Sequence, residues 1–142
     1  MEADSFLVRF GVSLNSELLK DFDKTIIKKG YNSRSEAIRD LIRDYLVALD
    51  WKEKKGSKVG TITLVYNHEK RNLSERLNAL QHKYINLIIS TTHVHLNEHN
   101  CLEVVIIKGD GEKIKELASK LISLKGVKHG KLTMTTTGKG LA

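Results

Sequence analysis

Phe6-Leu7-Val8-Arg9-Phe10-Gly11-Val12-Ser13-Leu14 is the stretch on which the reading of the fold turns. Val8, Phe10, Val12 and Leu14 alternate with Arg9, Gly11 and Ser13. That period of two predicts a short strand with one apolar and one polar face. Working outward, Asn15 is placed to cap a helix carrying Leu18, Leu19, Phe22, Ile26 and Ile27 at helical spacing. Gly30 is placed to end it. Ser33-Arg34-Ser35-Glu36 forms a capping box, in which the Ser33 hydroxyl and the Glu36 carboxylate satisfy amides of the first turn. The second helix carries Ala37, Ile38, Leu41, Ile42, Tyr45, Leu46 and Leu49 and is expected to run to about Lys54. One strand and two helices make no sheet, and roughly 50 residues are marginal for an independent core. The strand therefore needs a partner, most simply its copy in a second chain.

Beyond Lys54-Lys55-Gly56-Ser57-Lys58, which reads as a short polar linker, the pattern changes. Val59–Asn67 is strand-like, Glu69–Tyr84 reads as a helix, and Ile85–Leu96 and Cys101–Lys108 are β-rich. Asn97-Glu98-His99-Asn100 joins those last two as a hairpin loop. Glu112–Leu124 reads as a helix ended by Gly126, and Val127–Thr137 as a last strand. The order β-α-β-β-α-β is the split-βαβ, ferredoxin-like pattern. The expected fold class is therefore α+β, with a strand-helix-helix unit over 1–54, a linker at 55–58 and a βαββαβ domain over 59–142.

Composition narrows the function classes. The 142 residues contain no proline and one cysteine, which excludes an internal disulfide framework and suits a reducing, cytoplasmic setting. Met1-Glu2-Ala3-Asp4 opens with acid and no apolar core, so no secretory signal is expected, and no apolar run is long enough to span a membrane. The net charge is +7, but it is spread: residues 1–58 hold 12 basic and 10 acidic side chains, residues 59–142 hold 12 and 7. No basic block stands out, so charge alone does not argue for nucleic acid.

The polar face of the first strand can do specific chemistry. Arg9 can reach guanine O6 and N7 together, and Ser13 can hydrogen-bond several bases. The start of the second helix, at Asn32 and Ser33, offers amides to a backbone phosphate. Read without the helices, Arg9 and Ser13 are simply the solvated face of an edge strand. The full strand-helix-helix order resembles the ribbon-helix-helix DNA-binding fold, in which two chains pair their strands into a ribbon that enters the major groove. Gly11 stands where that family usually has a hydroxyl residue and supplies no side-chain contact.

The second cluster is metal-like. His93 and His95 are i and i+2 on a strand and share a face, and the hairpin folds Cys101 back near His95. Imidazole nitrogens with a thiolate are a transition-metal set. His82 stands at the far end of a helix, and its reach to the same point within one chain is open. The plainer reading is an exposed histidine pair beside a small buried cysteine. His68 and His99 read as loop residues, and His129 as less involved still. Glu103 shares the Cys101 face and is a candidate acceptor for a ligand imidazole, or else a solvated carboxylate.

A longer set of stretches carries a further resemblance: Tyr66-Asn67-His68-Glu69-Lys70-Arg71, Gln81-His82, His93-Val94-His95-Leu96, Cys101-Leu102-Glu103-Val104 and Leu124-Lys125-Gly126-Val127-Lys128-His129-Gly130. Together they resemble the nickel-responsive transcriptional regulators, the NikR family, from Arg9 to about Thr136. The resemblance implies homotetramers built as dimers of dimers, with ribbon-helix-helix pairs at the ends and an ACT-like core. It implies Ni(II) held in a square plane by His93, His95 and Cys101 of one subunit and His82 of a neighbour. It implies that Lys70 and Arg71, at the opening of the helix that ends near His82, touch the operator backbone when metal is bound. It also implies a secondary cation, often potassium (K+), at Glu36 and Asp40, although Asp40 could instead pair with Arg43 or Arg39. Repression of nickel uptake is the expected output, with no small-molecule substrate.

Two other readings compete. A ribbon-helix-helix regulator could sense an amino acid or similar effector through its ACT-like domain, which leaves the His/Cys spacing without a role. A metal-storage protein would use the ligands and ignore residues 6–50. An enzyme is not expected, because no nucleophile-base pair or paired carboxylates stand out and a His₃Cys set leaves no open position for substrate.

Overall fold

The computed structural model describes residues 6–141, so the reading of Met1-Glu2-Ala3-Asp4 lies outside the described residues. The chain divides into two compact units, one reaching to Leu46 and the other spanning Val47–Lys139.

In the first unit, residues 6–14 form no strand within the chain, against the alternation of their sequence. The reason is physical: a strand exists through its ladder hydrogen bonds, and this unit has no second strand among its described residues to supply them. The helices form as their signals predict. Asn15 accepts the Glu17 amide at 2.8 Å and opens α1, Ser16–Lys28. Gly30 takes the left-handed conformation, φ +81°, that lets the chain leave α1. The capping box opens α2, Arg34–Asp50: Ser33 Oγ accepts the Glu36 amide and Glu36 Oε2 accepts the Asn32 amide, each at 3.2 Å. α2 stops at Asp50 rather than near Lys54. The Lys52 and Glu53 amides turn back in tight i→i−3 bonds to the Leu49 and Asp50 carbonyls, at 2.9 and 3.1 Å.

The second unit has the β-α-β-β-α-β order. Its elements are β1 (Ser57–Asn67), α3 (Leu73–Lys83), β2 (Ile88–His95), β3 (Asn100–Asp110), α4 (Gly111–Ile122) and β4 (Val127–Thr135). The strands are all antiparallel, in the spatial order β2-β3-β1-β4. β1 and β3 alternate strictly, and their buried positions meet α3 and α4 in a core that includes Ile62, Leu64, Leu73, Leu77, Ile107, Ile114, Leu117 and Leu121. Asp110 accepts the Lys113 amide at 3.0 Å and opens α4.

Three boundaries differ clearly from the pattern reading. Ser57 and Lys58, read as linker, already belong to β1. α3 opens at Leu73 rather than Glu69. The Asn67 side chain captures the Glu69 amide at 2.8 Å, which holds residues 67–69 as a turn, and Asn72 then sits at φ +62°. A short 3₁₀ turn, Ile85–Leu87, replaces the start expected for the β-rich run Ile85–Leu96.

Candidate metal centre

The ladder register builds this site. His95 stands opposite Cys101 and His93 opposite Glu103 across β2 and β3, while Tyr66 stands opposite Cys101 across β1 and β3. Directly paired residues point to the same side of a sheet, so these side chains share the face that α3 and α4 cover. Cys101 is fully buried there.

Its Sγ lies 3.3 Å from His95 Nδ1 and 3.3 Å from His68 Nδ1. The ligand atoms of His68, His95 and Cys101 all fall within 4.8 Å of one another. His68 reads as a loop residue in its own stretch of sequence, and it lies in the turn after β1. It is brought in because β1 pairs with β3 so that Asn67 faces Asn100, and the His68 amide then donates to the His99 carbonyl at 3.1 Å. The signal lay in the βαββαβ order itself, which sets the end of β1 beside the start of β3.

His93 is exposed on the edge strand, its ring 5.1 Å from that of His95 and 6.1 Å from that of Tyr66. His82 is exposed on α3 and does not join the cluster within one chain. Gln81, beside it on α3, faces the sheet as Leu73 and Leu77 do: its amide donates to Glu103 Oε1 and its carbonyl accepts from Thr91 Oγ1 at 3.1 Å. One step along a helix turns a side chain by about 100°, which carries His82 away from Gln81's target.

Glu103 is a buried carboxylate, 5% exposed, not a solvated one. It accepts from Gln81 and from Tyr66 Oη, the latter at 2.7 Å. Burial, together with the bond to Glu103, pushes the Tyr66 hydroxyl far above its ordinary range, so it remains a donor. Burial first, and the Glu103 charge second, push the Cys101 thiol up. Without a cation beside it, then, Cys101 keeps its proton. A soft divalent cation would replace that proton, and the buried thiol with imidazole nitrogens at contact distance is a donor set suited to one.

The remaining sequence-predicted residues lie apart from this cluster. Arg9, Gly11 and Ser13 are exposed on the extended segment. Asn32 and Ser33 are exposed at the start of α2, with the Asn32 amide already taken by Glu36. Lys70 and Arg71 are exposed in the turn before α3, not on the helix. Glu36 and Asp40 are half-buried on α2 and engaged separately: Asp40 accepts from Tyr31 Oη at 2.9 Å and pairs with Arg43 at 3.2 Å.

Two capped helices behind an unpaired extended segment, followed by a sheet with a buried His/Cys cluster, are the parts expected of a DNA-binding regulator with a metal domain. The comparisons agree in both halves. Residues 8–48 match the ribbon-helix-helix protein, copG family, and residues 59–135 match the NikR C terminal nickel binding domain. The chain is 57% identical over 135 residues to a Thermococcus onnurineus protein, covering 95% of this chain and 98% of that one. It is 56% identical over 135 residues to a protein of Caldanaerobacter subterraneus, covering 95% and 88%. Both relatives bear the name "Putative nickel-responsive regulator". The chain belongs to the NikR family of nickel-responsive regulators. A solved structure of an uncharacterized Thermotoga maritima protein shares the fold alone, with a TM-score of 0.52 and 20% identity over 57% of this chain and all of that one.

Proposed function

We propose that this chain is a nickel-dependent, DNA-binding transcriptional regulator that represses nickel-uptake genes when Ni(II) is bound. The observation that carries the reading is the buried Cys101 thiol with imidazole nitrogens at 3.3 Å, in a chain whose other half is a ribbon-helix-helix unit. An effector-sensing regulator has no use for that cluster, and a storage protein has no use for residues 6–46.

In this reading His93, His95 and Cys101 of one subunit and His82 of a neighbour hold nickel, in a homotetramer built as a dimer of dimers. The exposure of His82, turned away from its own chain's cluster, supports a ligand shared between chains. When bound, nickel supplies a bond between subunits that favours one arrangement of the core. The chain's own residues do the rest. Tyr66 and Gln81 hold the Glu103 carboxylate beside His93, where it can orient an imidazole. Arg9 and Ser13 read bases from the paired ribbon, and Lys70 and Arg71 add phosphate contacts without reading sequence. The protein acts by binding rather than by catalysis. Its place is the cytoplasm, where Cys101 stays reduced; among the described residues no helix is long and apolar enough to cross a membrane. Glu36 and Asp40 are the carboxylates of a second cation site, such as one for potassium, at the cost of their present partners.

A second reading of the ligand set has its own observation. His68, His95 and Cys101 already converge in one chain, and three such ligands with one open position suit a tetrahedral ion such as zinc. Nickel titration of His82→Ala and His68→Ala proteins separates the two. A loss confined to His82→Ala supports the shared site, and a loss confined to His68→Ala the single-chain site.

The functional test is a mobility shift on DNA upstream of nickel-uptake genes, with and without Ni(II). Binding should require nickel and fail in His93→Ala. A Lys70→Ala, Arg71→Ala protein should keep nickel and lose about 10-fold or more of its nickel-dependent DNA affinity. DNA binding indifferent to nickel and to His93 would overturn the reading in favour of effector sensing.

A further inference from the structure

We propose that Lys58 and Trp51 are positioning residues for metal-controlled DNA binding, because they fasten the last turn of α2 to the metal domain. The inference rests on the regulator reading above. α2 belongs to the first unit as far as Leu46, and its last turn, Val47–Asp50, belongs to the second.

Three bonds hold that turn and the residue after it. Lys58 Nζ, from the start of β1, donates to Asp50 Oδ1 at 2.7 Å. Trp51 Nε1 donates to the Thr135 carbonyl of β4 at 2.8 Å. Lys115 Nζ, on α4, donates to the Trp51 carbonyl at 3.4 Å. The two side chains are packed as core residues are: Lys58 is 2% exposed and Trp51 3%. Gly111 leaves the room they occupy. A Cβ at that position would stand 3.0 Å from Lys58 Cγ and 3.7 Å from the Trp51 ring.

The ammonium is the informative part. Lys58 falls in the buried phase of β1, shared with Gly60, Ile62, Leu64 and Tyr66, where an apolar side chain would fill the space without desolvating a charge. What the charge adds is direction, since it selects one carboxylate, at the final residue of α2. Trp51 adds a second directed bond, to β4, the edge strand paired with β1. Metal can change DNA affinity only if the DNA-binding unit responds to the arrangement of the metal domain. A slack polar linker after α2 would pass on little beyond tethering. A helix end bonded to β1, β4 and α4 passes on the arrangement of the domain that holds it.

The test uses the full-length protein with Lys58→Met, which keeps the buried stem, and Trp51→Phe, which keeps most of the ring and removes the N–H. Nickel affinity is followed by thiolate-to-nickel charge-transfer absorbance, and DNA affinity is measured with and without Ni(II). Nickel affinity and nickel-free DNA affinity should stay within about 3-fold of the parent, while the nickel-dependent gain in DNA affinity falls about 10-fold or more. Asp50→Asn, at a half-exposed and isosteric position, weakens the same pair without touching the core, and should reduce the gain with unchanged melting. A gain kept within about 2-fold in all folded variants overturns the inference and leaves the regulator reading standing. A parent protein with no nickel-dependent gain overturns both.

Discussion

The two units deal with apolar surface in opposite ways. In Val47–Lys139 one chain completes its own core, and Ile62, Leu64, Val105, Ile107, Ile114, Leu117 and Leu121 are fully buried. In the unit that reaches to Leu46, Phe6, Val8 and Phe10 stand 85%, 82% and 68% exposed, and Leu41, Ile42 and Tyr45 of α2 are exposed as well. The same period-two pattern thus gives a four-stranded ladder where the chain supplies the neighbouring strand, and an unpaired segment where it does not. Unpaired strand groups with an apolar face attract another chain. In the proposed assembly a second chain would complete the first unit, whereas the second unit has a core of its own and shares only its metal ligands and an outer apolar surface that includes Ile85, Ile89 and Val94.

The largest expected effects break or secure that contrast. Leu117→Ala opens a cavity in a completed core and should cost about 2–5 kcal/mol. Val12 is 62% exposed in one chain, so a self-sufficient first unit would hardly register Val12→Asp. In a paired ribbon the same carboxylate is buried against helices, and the first unit should lose its concentration-dependent melting transition together with DNA binding. Calorimetry at two protein concentrations, run beside a mobility shift, checks both. A Val12→Asp protein that melts and binds like the parent would mean that the first unit is complete in one chain.

An intermediate effect probes the second unit alone. Glu103→Gln keeps the shape of a buried carboxylate that accepts from Tyr66 and Gln81, and removes its charge. Nickel affinity should fall about 10-fold to 100-fold, while the first unit's melting stays where it was. Nickel affinity should also rise with pH in the parent protein, because the buried Cys101 thiol must lose its proton to bind.

How far these features are legible in the chain follows from how local they are. The Asn15 cap, the Ser33–Glu36 box and the βαββαβ order are written over short windows, and each reappears in the structure. Cys101 and His95 are joined by one hairpin, so their approach was readable too. His68 was not readable from its own window, because it meets Cys101 only through the register of β1 on β3, 33 residues apart. Lys58 reads as linker for another reason. Its charge hides an apolar phase of β1, and only the Asp50 carboxylate at 2.7 Å explains why a lysine is tolerated there. The segment 6–14 shows the limit of single-chain reading, since its pattern is plain and no described strand of the chain pairs with it.

The smallest effect separates the units by pH. Arg34 donates two bonds of 2.7 Å to the Asp23 carboxylate, joining α2 to α1 in the first unit. That bonding holds the Asp23 carboxyl below its ordinary value of 3.8. A depressed folded-state value means that the stabilisation is complete above the unfolded value and fades as pH falls through the folded one. Acid below about pH 4 should therefore loosen the first unit through this pair. Asp23→Asn should remove that part of the pH dependence, with a cost at neutral pH of only about 1–2 °C, since both groups are exposed and screened. The second unit has its own acid-sensitive group, Glu116, whose carboxyl is lowered by its bonds to Lys120 and Tyr84. Glu116→Gln should flatten the acid limb of the second unit and leave that of the first unchanged. Separate acid limbs, each flattened by its own substitution, would show that the two units respond independently to acid; one shared limb, shifted by either change, would show that they unfold together and that the contrast between them stops at burial.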